Sequence, residues 1–155
     1  MSDTWTGAGE NWQRERRWLG YAGVIPFATC VGVMLATDDP AWRLVATDTL
    51  RHYAAVIASF LGAVHWGVAA DDRDGLHHAR LRWGVMPALL AWTLLALPPG
   101  FAFVGFGVLF TLILVVDRYL LPVLDDHYRQ LRLPLTVLVV ATMVLAAIAD
   151  ARVTG

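Results

Sequence analysis

Five ionisable or proton-exchanging side chains stand at or inside stretches that are otherwise apolar: His65, Arg82, Asp117, Arg118 and Arg132. Such groups are rare in an apolar layer and mark binding or proton-handling sites by default. His65 lies six residues before Asp71, so about 9 Å below that end of its helix at roughly 1.5 Å rise per residue. The segment around it reads Leu61-Gly62-Ala63-Val64-His65-Trp66-Gly67, and its glycines would let a helix or a ligand come close. An imidazole there can give or take a proton. A carboxylate such as Asp117 needs a partner when buried, and Arg82 or Arg132 is the expected one. Together with Arg118 these groups could line one polar pocket at one end of a helix bundle. The plainer reading is a histidine bonded to a neighbouring backbone carbonyl or hydroxyl, and ion pairs that only fix helix ends.

Other candidates are weaker. His77-His78 follows Asp71, Asp72 and Asp74, a cluster that could hold a divalent metal adventitiously. Arg51-His52-Tyr53 reads as an interfacial anchor. His52 and His65 share one helix, about 20 Å apart along it, so a bis-histidine haem within the chain is not expected. The single Cys30 excludes an internal disulfide framework and multi-cysteine metal sites. No phosphate loop, nucleophile elbow or zinc-protease motif is present. No catalytic residue, metal or cofactor is therefore assigned, and the chain leans away from being an enzyme.

The elements that must position these residues follow from where the charges are not. Of 155 residues, 57% are apolar and 16% are charged, against a soluble norm of roughly 45–50% and 25%. The net charge of -1 gives no overall basic footprint for nucleic acid. All 12 basic residues are Arg, a compositional bias with no functional meaning drawn from it. Charge-free windows cover 18–37, 52–70, 83–116 and 133–149. About 20 apolar residues cross a bilayer core of roughly 30 Å. The third window is too long for one crossing and is split by Pro98-Pro99-Gly100, which breaks a helix because proline lacks the amide donor and restricts its predecessor. The expected fold is an all-α polytopic helical bundle, a single membrane domain of five transmembrane spans. They run over about 18–36, 50–70, 81–97, 101–120 and 133–150, with 1–17 a cytoplasmic tail. A re-entrant hairpin over 81–120 with three full spans is the alternative. Nine arginines fall on the side of the N-terminus and Arg43, Arg51 and Arg152 on the other, which places the N-terminus in the cytoplasm and the C-terminus outside. The first window is too long for a signal-peptide core and reads as a span.

Lipid supplies no hydrophobic drive between helices, so small residues mark close packing. The second span carries Ala55, Ser59, Ala63 and Gly67 at four-residue spacing, beside Ala54, Ala58 and Gly62. The first has Ala28, Gly32 and Ala36. These rows make the second span the expected central helix and give Ala55, Ser59, Gly62, Ala63 and Gly67 as packing positions. Most of the seven Trp and four Tyr fall near span ends, as an interfacial aromatic belt requires.

The stretches Leu19-Gly20-Tyr21-Ala22-Gly23-Val24-Ile25-Pro26-Phe27 and Tyr53 to Gly67 resemble the domain-of-unknown-function family 3429. So do Trp83-Gly84-Val85-Met86-Pro87-Ala88-Leu89-Leu90-Ala91-Trp92, Asp117-Arg118 and Tyr128-Arg129-Gln130-Leu131-Arg132-Leu133-Pro134-Leu135-Thr136. The resemblance spans roughly 18–145. It implies a small bacterial inner-membrane protein, with a similar eukaryotic mitochondrial transmembrane protein, and no established activity. It adds Trp66 and Tyr128 to His65, Arg82, Asp117, Arg118 and Arg132 as functional candidates. Two functions are carried forward. One is a non-enzymatic interaction or assembly factor for other membrane proteins. The other is a binding protein or transporter for a small anionic or lipid-like ligand in a cytoplasm-facing pocket. The expected partners are the lipid bilayer and another membrane protein or a second copy of the chain, with no nucleic acid.

Overall fold

The computed structural model describes residues 18–70, 75–120 and 126–154, with side chains left undescribed at 126–129 and 153–154. Its regular secondary structure in those residues is all helical. A helical segment over 18–22 leads into α1 (Ile25–Ala36). Then come α2 (Pro40–Ala69), α3 (His77–Leu95), α4 (Pro99–Val115) and α5 (Asp126–Thr154). A π-helical turn, Val116–Leu120, extends α4. Among the described residues, four stretches are long and apolar enough to cross a membrane: Trp18–Ala36, Pro40–Ala69, Pro99–Leu120 and Gln130–Arg152. The 19-residue α3 lies outside that set, because His77, His78, Arg80 and Arg82 crowd its first turns.

Local chemistry sets the element ends. The Asp39 side chain accepts from Ala41 N at 2.8 Å and Pro40 opens the helix, so α2 starts ten residues before the span start expected near 50. A carboxylate there satisfies an orphan amide, and proline is pre-set for the first helical position. The break between α3 and α4 falls at Ala96–Pro98, beside the expected proline turn.

α2 packs against α1, α3 and α4, and α4 against α2, α3 and α5. α2 and α3 run antiparallel, with Arg51 beside Leu95, Gly62 beside Gly84 and Trp66 beside Leu81. α4 and α5 do likewise, with Gly100 beside Asp150, Gly107 beside Met143 and Asp117 beside Arg132. The core is centred on Phe103, Phe106, Phe110 and Ile113 of α4, packed with Phe27 and Met34 of α1, Leu50, Ala54 and Ala58 of α2, and Met143 of α5. Phe27 meets Tyr53 and Phe110 edge-on at 4.9 and 6.1 Å between centroids, and Tyr53 donates to the Gly23 carbonyl at 3.0 Å. Those contacts tie α1 to the central pair.

All five helices turn large apolar side chains outward: Ile25, Phe60 (65% exposed), Leu89, Val108 (64%) and Val137 among them. A water-soluble chain does not expose so continuous an apolar belt. Hydroxyls in this zone bond carbonyls of their own helix, Ser59 to Ala55, Thr111 to Gly107 and Thr142 to Val139 at 2.7–2.9 Å. Backbone and hydroxyl groups satisfied within one segment are what a lipid environment demands.

The contact row of α2 is Leu50, Ala54, Ala58, Gly62 and His65, all buried. The parallel row sits about 100° round the helix. Ala55 and Ser59 are half-buried there, while Ala63 and Gly67 face outward, and a Cβ on Gly67 would meet nothing within 4 Å. At Gly62 a Cβ would lie 2.6 Å from the Gly84 carbonyl oxygen, so the two backbones touch only because both positions are glycine.

At the end of the bundle that carries Arg51, charge complements helix ends. Arg51 donates to the carbonyls of Leu95 and, at 2.8 Å, Leu97, where α3 ends. Asp150 lies at the first turn of α4, its Oδ2 2.9 Å from where a Gly100 Cβ would stand. A cation at a helix C-terminus and an anion at an N-terminus are each favoured by the backbone dipoles. Arg51 thus does more than anchor an interface: it caps a neighbouring helix.

Candidate functional site

The opposite end of the bundle encloses four charged or proton-exchanging side chains from four elements: His65 of α2, Arg80 of α3, Asp117 of the π-turn and Arg132 of α5. Their exposures are 0%, 3%, 4% and 8%.

Each is brought inward for a local reason. His65 continues the Ala58–Gly62 contact row of α2 by one turn. Arg80 continues the buried row Arg80, Gly84, Pro87 and Ala91 of α3. The antiparallel register that sets Gly62 against Gly84 carries His65 toward Arg80. Asp117 is turned inward by the π-turn, whose extra residue per turn rotates the chain relative to α4; its neighbour Arg118 is only half-buried and Tyr119 is exposed. Arg132 lies two residues before Pro134, inside α5.

Asp117 Oδ2 accepts from Arg132 Nε at 2.8 Å and from Arg132 Nη2 at 2.7 Å. This fork on a single oxygen neutralises the aspartate and fixes it. His65 Nε2 stands 3.3 Å from the other oxygen, Oδ1. The Leu61 carbonyl, one turn back on α2, is the backbone acceptor beside the ring. Neither contact is a completed hydrogen bond: His65 Nδ1, His65 Nε2 and Asp117 Oδ1 are buried without a partner. Each such group costs roughly 1–3 kcal/mol relative to a satisfied one. The Trp83 indole nitrogen on α3 is buried and unpartnered in the same way.

Of the remaining candidates, Arg82 and Trp66 fall outside the cluster. Arg82 is exposed, because two residues from Arg80 is the far side of a helix. Trp66 is half-exposed, and its Nε1 donates to the Leu81 carbonyl at 3.1 Å while the indole lies over Gly84. It staples α2 to α3. The Tyr128 side chain lies outside the described residues. So do Asp71, Asp72 and Asp74; of their neighbours, His77 Nδ1 lies 2.9 Å from the Ala69 carbonyl at the end of α2. Among the described residues no three possible metal ligands converge. Arg80 is the member the sequence reading missed. Its signal was its four-residue spacing to Gly84.

Among the described residues, Arg132 pairs with Asp117 inside the bundle beside His65 and Arg80, Arg118 is half-buried and Arg82 is exposed. What remains chemically unspent is the imidazole and one carboxylate oxygen.

The family model described as "Protein of unknown function (DUF3429)" matches residues 12–148. "Transmembrane protein 69" of Xenopus tropicalis is 33% identical over 138 residues, covering 82% of this chain and 51% of that protein. The chain spans about half the length of that relative. No solved structure matches the chain.

Proposed function

Because this chain belongs to the family described as protein of unknown function (DUF3429), its activity must be argued from its own residues, and we propose that it is an interaction or assembly factor for other membrane proteins. It sits in the bacterial inner membrane as a multi-pass protein and works by noncovalent association. The observation that carries this reading is the division of its polar and small residues. The strongest charges are spent inside on one another, while Ala28 and Gly32 of α1 and Ala63 and Gly67 of α2 face outward, with open space beside both glycines. A transmembrane helix of another protein can reach backbone contact there.

We place five crossings in the bilayer, α3 being the fifth. It runs beside α2 from Arg51 at one end to Trp66 at the other, which favours a full span over a re-entrant hairpin. Arginine placement puts the N-terminus in the cytoplasm and the C-terminus outside. The test is purification from native membranes in mild detergent with mass spectrometry of what comes along. A stoichiometric membrane protein, lost on Gly32→Leu or Gly67→Leu, is the expected result. A chain that purifies alone at every detergent mildness refutes the reading.

A second reading has its own observation, the unpartnered nitrogens of His65. They favour a binding protein or transporter for a small anionic or lipid-like ligand, which would meet Arg82 and Arg118 before the buried centre. A metabolite or lipid retained by the wild type and released by His65→Gln would favour it over the first.

A further inference from the structure

We propose that His65 and Asp117 form an intramembrane proton-binding site: a proton from the adjoining aqueous phase is held as the His65 imidazolium, between the Asp117 carboxylate and the Leu61 carbonyl.

The geometry is an imidazole with an acceptor at two places on its edge. Asp117 Oδ1 stands 3.3 Å from Nε2, and the Leu61 carbonyl lies one turn back on the same helix. His52 shows what that second relation looks like when completed: its Nδ1 lies 2.7 Å from the Asp48 carbonyl, also four residues back. A neutral imidazole carries one N–H and one lone pair. It can satisfy one of the two oxygens and must turn its lone pair to the other. The imidazolium carries two N–H groups and can satisfy both. The three buried atoms now without a partner, both ring nitrogens and Asp117 Oδ1, are the atoms that one added proton would pair after a small rotation of the ring.

Every helix packed around the ring contributes to the balance. Burial in the apolar interior weighs most against the proton. Asp117 on the π-turn and the Leu61 carbonyl favour it, and the cations Arg132 on α5 and Arg80 on α3 oppose it. Arg132 also holds Asp117 by its other oxygen, so the carboxylate keeps its position whether the proton is present or absent. The ring N–H bond forms as an O–H bond of a hydronium ion breaks, leaving water, and the reverse transfer returns the proton to water. This inference is independent of the assembly reading, and the two tests share no readout.

The experiment is nitrogen NMR on the full-length protein in detergent or nanodiscs, with 15N-labelled histidine. Replacing His52, His77, His78 and His127 by Gln leaves His65 as the sole imidazole without touching the cluster. The expected result is a ring spectrum that passes from the neutral to the imidazolium pattern as the pH is lowered through the range over which the protein stays folded. Asp117→Asn should move that transition down by one pH unit or more, a tenfold or greater loss of proton affinity. If Asp117→Asn does not fold, Asp117→Glu, which keeps the charge and displaces the oxygens, should move the transition instead. A ring fixed in one state across the whole range overturns the proposal. So does a transition that both substitutions leave unmoved.

Discussion

Gly62→Ala is the sharpest test of how this bundle is held together. The added Cβ would lie 2.6 Å from the Gly84 carbonyl oxygen and 3.1 and 3.2 Å from two ring carbons of Pro87. A carbon–oxygen contact relaxes to about 3.3–3.6 Å, so α2 and α3 must part by nearly 1 Å at this level. Both obstacles are backbone or proline ring, and neither can rotate away. A gap of that size forfeits roughly a quarter to a half of the dispersion attraction at each contact it opens, and overpacking typically costs about 1–3 kcal/mol. The alanine regains up to about 1 kcal/mol of helix propensity. With the full propensity gain, the net loss is about 0–2 kcal/mol. Gly67→Ala is the matched control: its Cβ meets nothing within 4 Å, so only the propensity gain applies. Denaturant unfolding in micelles, followed by tryptophan fluorescence, should separate the two variants by at least about 1 kcal/mol. Equal stability would refute the close approach of α2 and α3. Gly84→Ala is informative beside them, because its Cβ would strike the Trp66 indole. That ring is half-exposed and can swing out, so this variant should lose the Trp66–Leu81 hydrogen bond, about 1 kcal/mol, and a blue-shifted fluorescence component with it.

Three further outcomes follow from the charges. Arg132→Leu leaves Asp117 buried and uncompensated and should cost about 3–5 kcal/mol, whereas Asp117→Leu with Arg132→Leu should recover most of that; a double-mutant cycle on thermal unfolding measures the difference. Arg51→Met strips the cap from the end of α3 and should cost about 1–2 kcal/mol, since hydrogen bonds from charged groups are worth somewhat more than neutral ones; faster hydrogen exchange confined to 95–100 would locate the loss. Arg80→Ala should lower the unfolding midpoint clearly, while Arg82→Ala, on the exposed face, should stay within about 0.5 kcal/mol of wild type.

The helices were legible because charge-free length is a one-dimensional property. Residues 18–37 and 133–149 announce spans whatever surrounds them, and Pro98-Pro99-Gly100 announces a turn. Asp39-Pro40 carried the start of α2 just as plainly, as a cap and a first-turn proline. Facing is harder. In a lipid-exposed helix both sides are apolar, so the period that reveals the inner side of a soluble helix is faint. That is why Ala63 and Gly67, small and correctly spaced, face outward while Ala54 and Ala58 pack. It is also why Arg82, the residue that bounds the apolar window, drew notice ahead of Arg80, which is the one buried. The need of Asp117 for an arginine was readable; which arginine depended on a helix register. The π-turn was not readable at all. Nothing in Val116-Asp117-Arg118-Tyr119-Leu120 marks it, and the groups that its Asp117 approaches, His65 and Arg132, belong to other helices.

That dependence gives the cluster a second meaning. α2, α3, the π-turn and α5 each contribute one member, and none of the four side chains is tolerable at that depth alone. Uncompensated charge in a membrane interior is costly at any estimate, so an arrangement that omits one helix strands the other three. A cluster of this kind would discriminate against misassembled bundles even where its net stabilisation is small, a role buried polar groups play in some proteins. Structural selection of this kind accounts for Asp117 and Arg132, which satisfy one another. It does not account for His65. A leucine or phenylalanine there would remove two unsatisfied nitrogens, and a plain α-helical turn at 116–120 would spare the chain a rare local geometry that recurs at functional sites. The structure keeps both, and the π-turn's effect is to bring a carboxylate oxygen that Arg132 does not use up to an imidazole that nothing else satisfies.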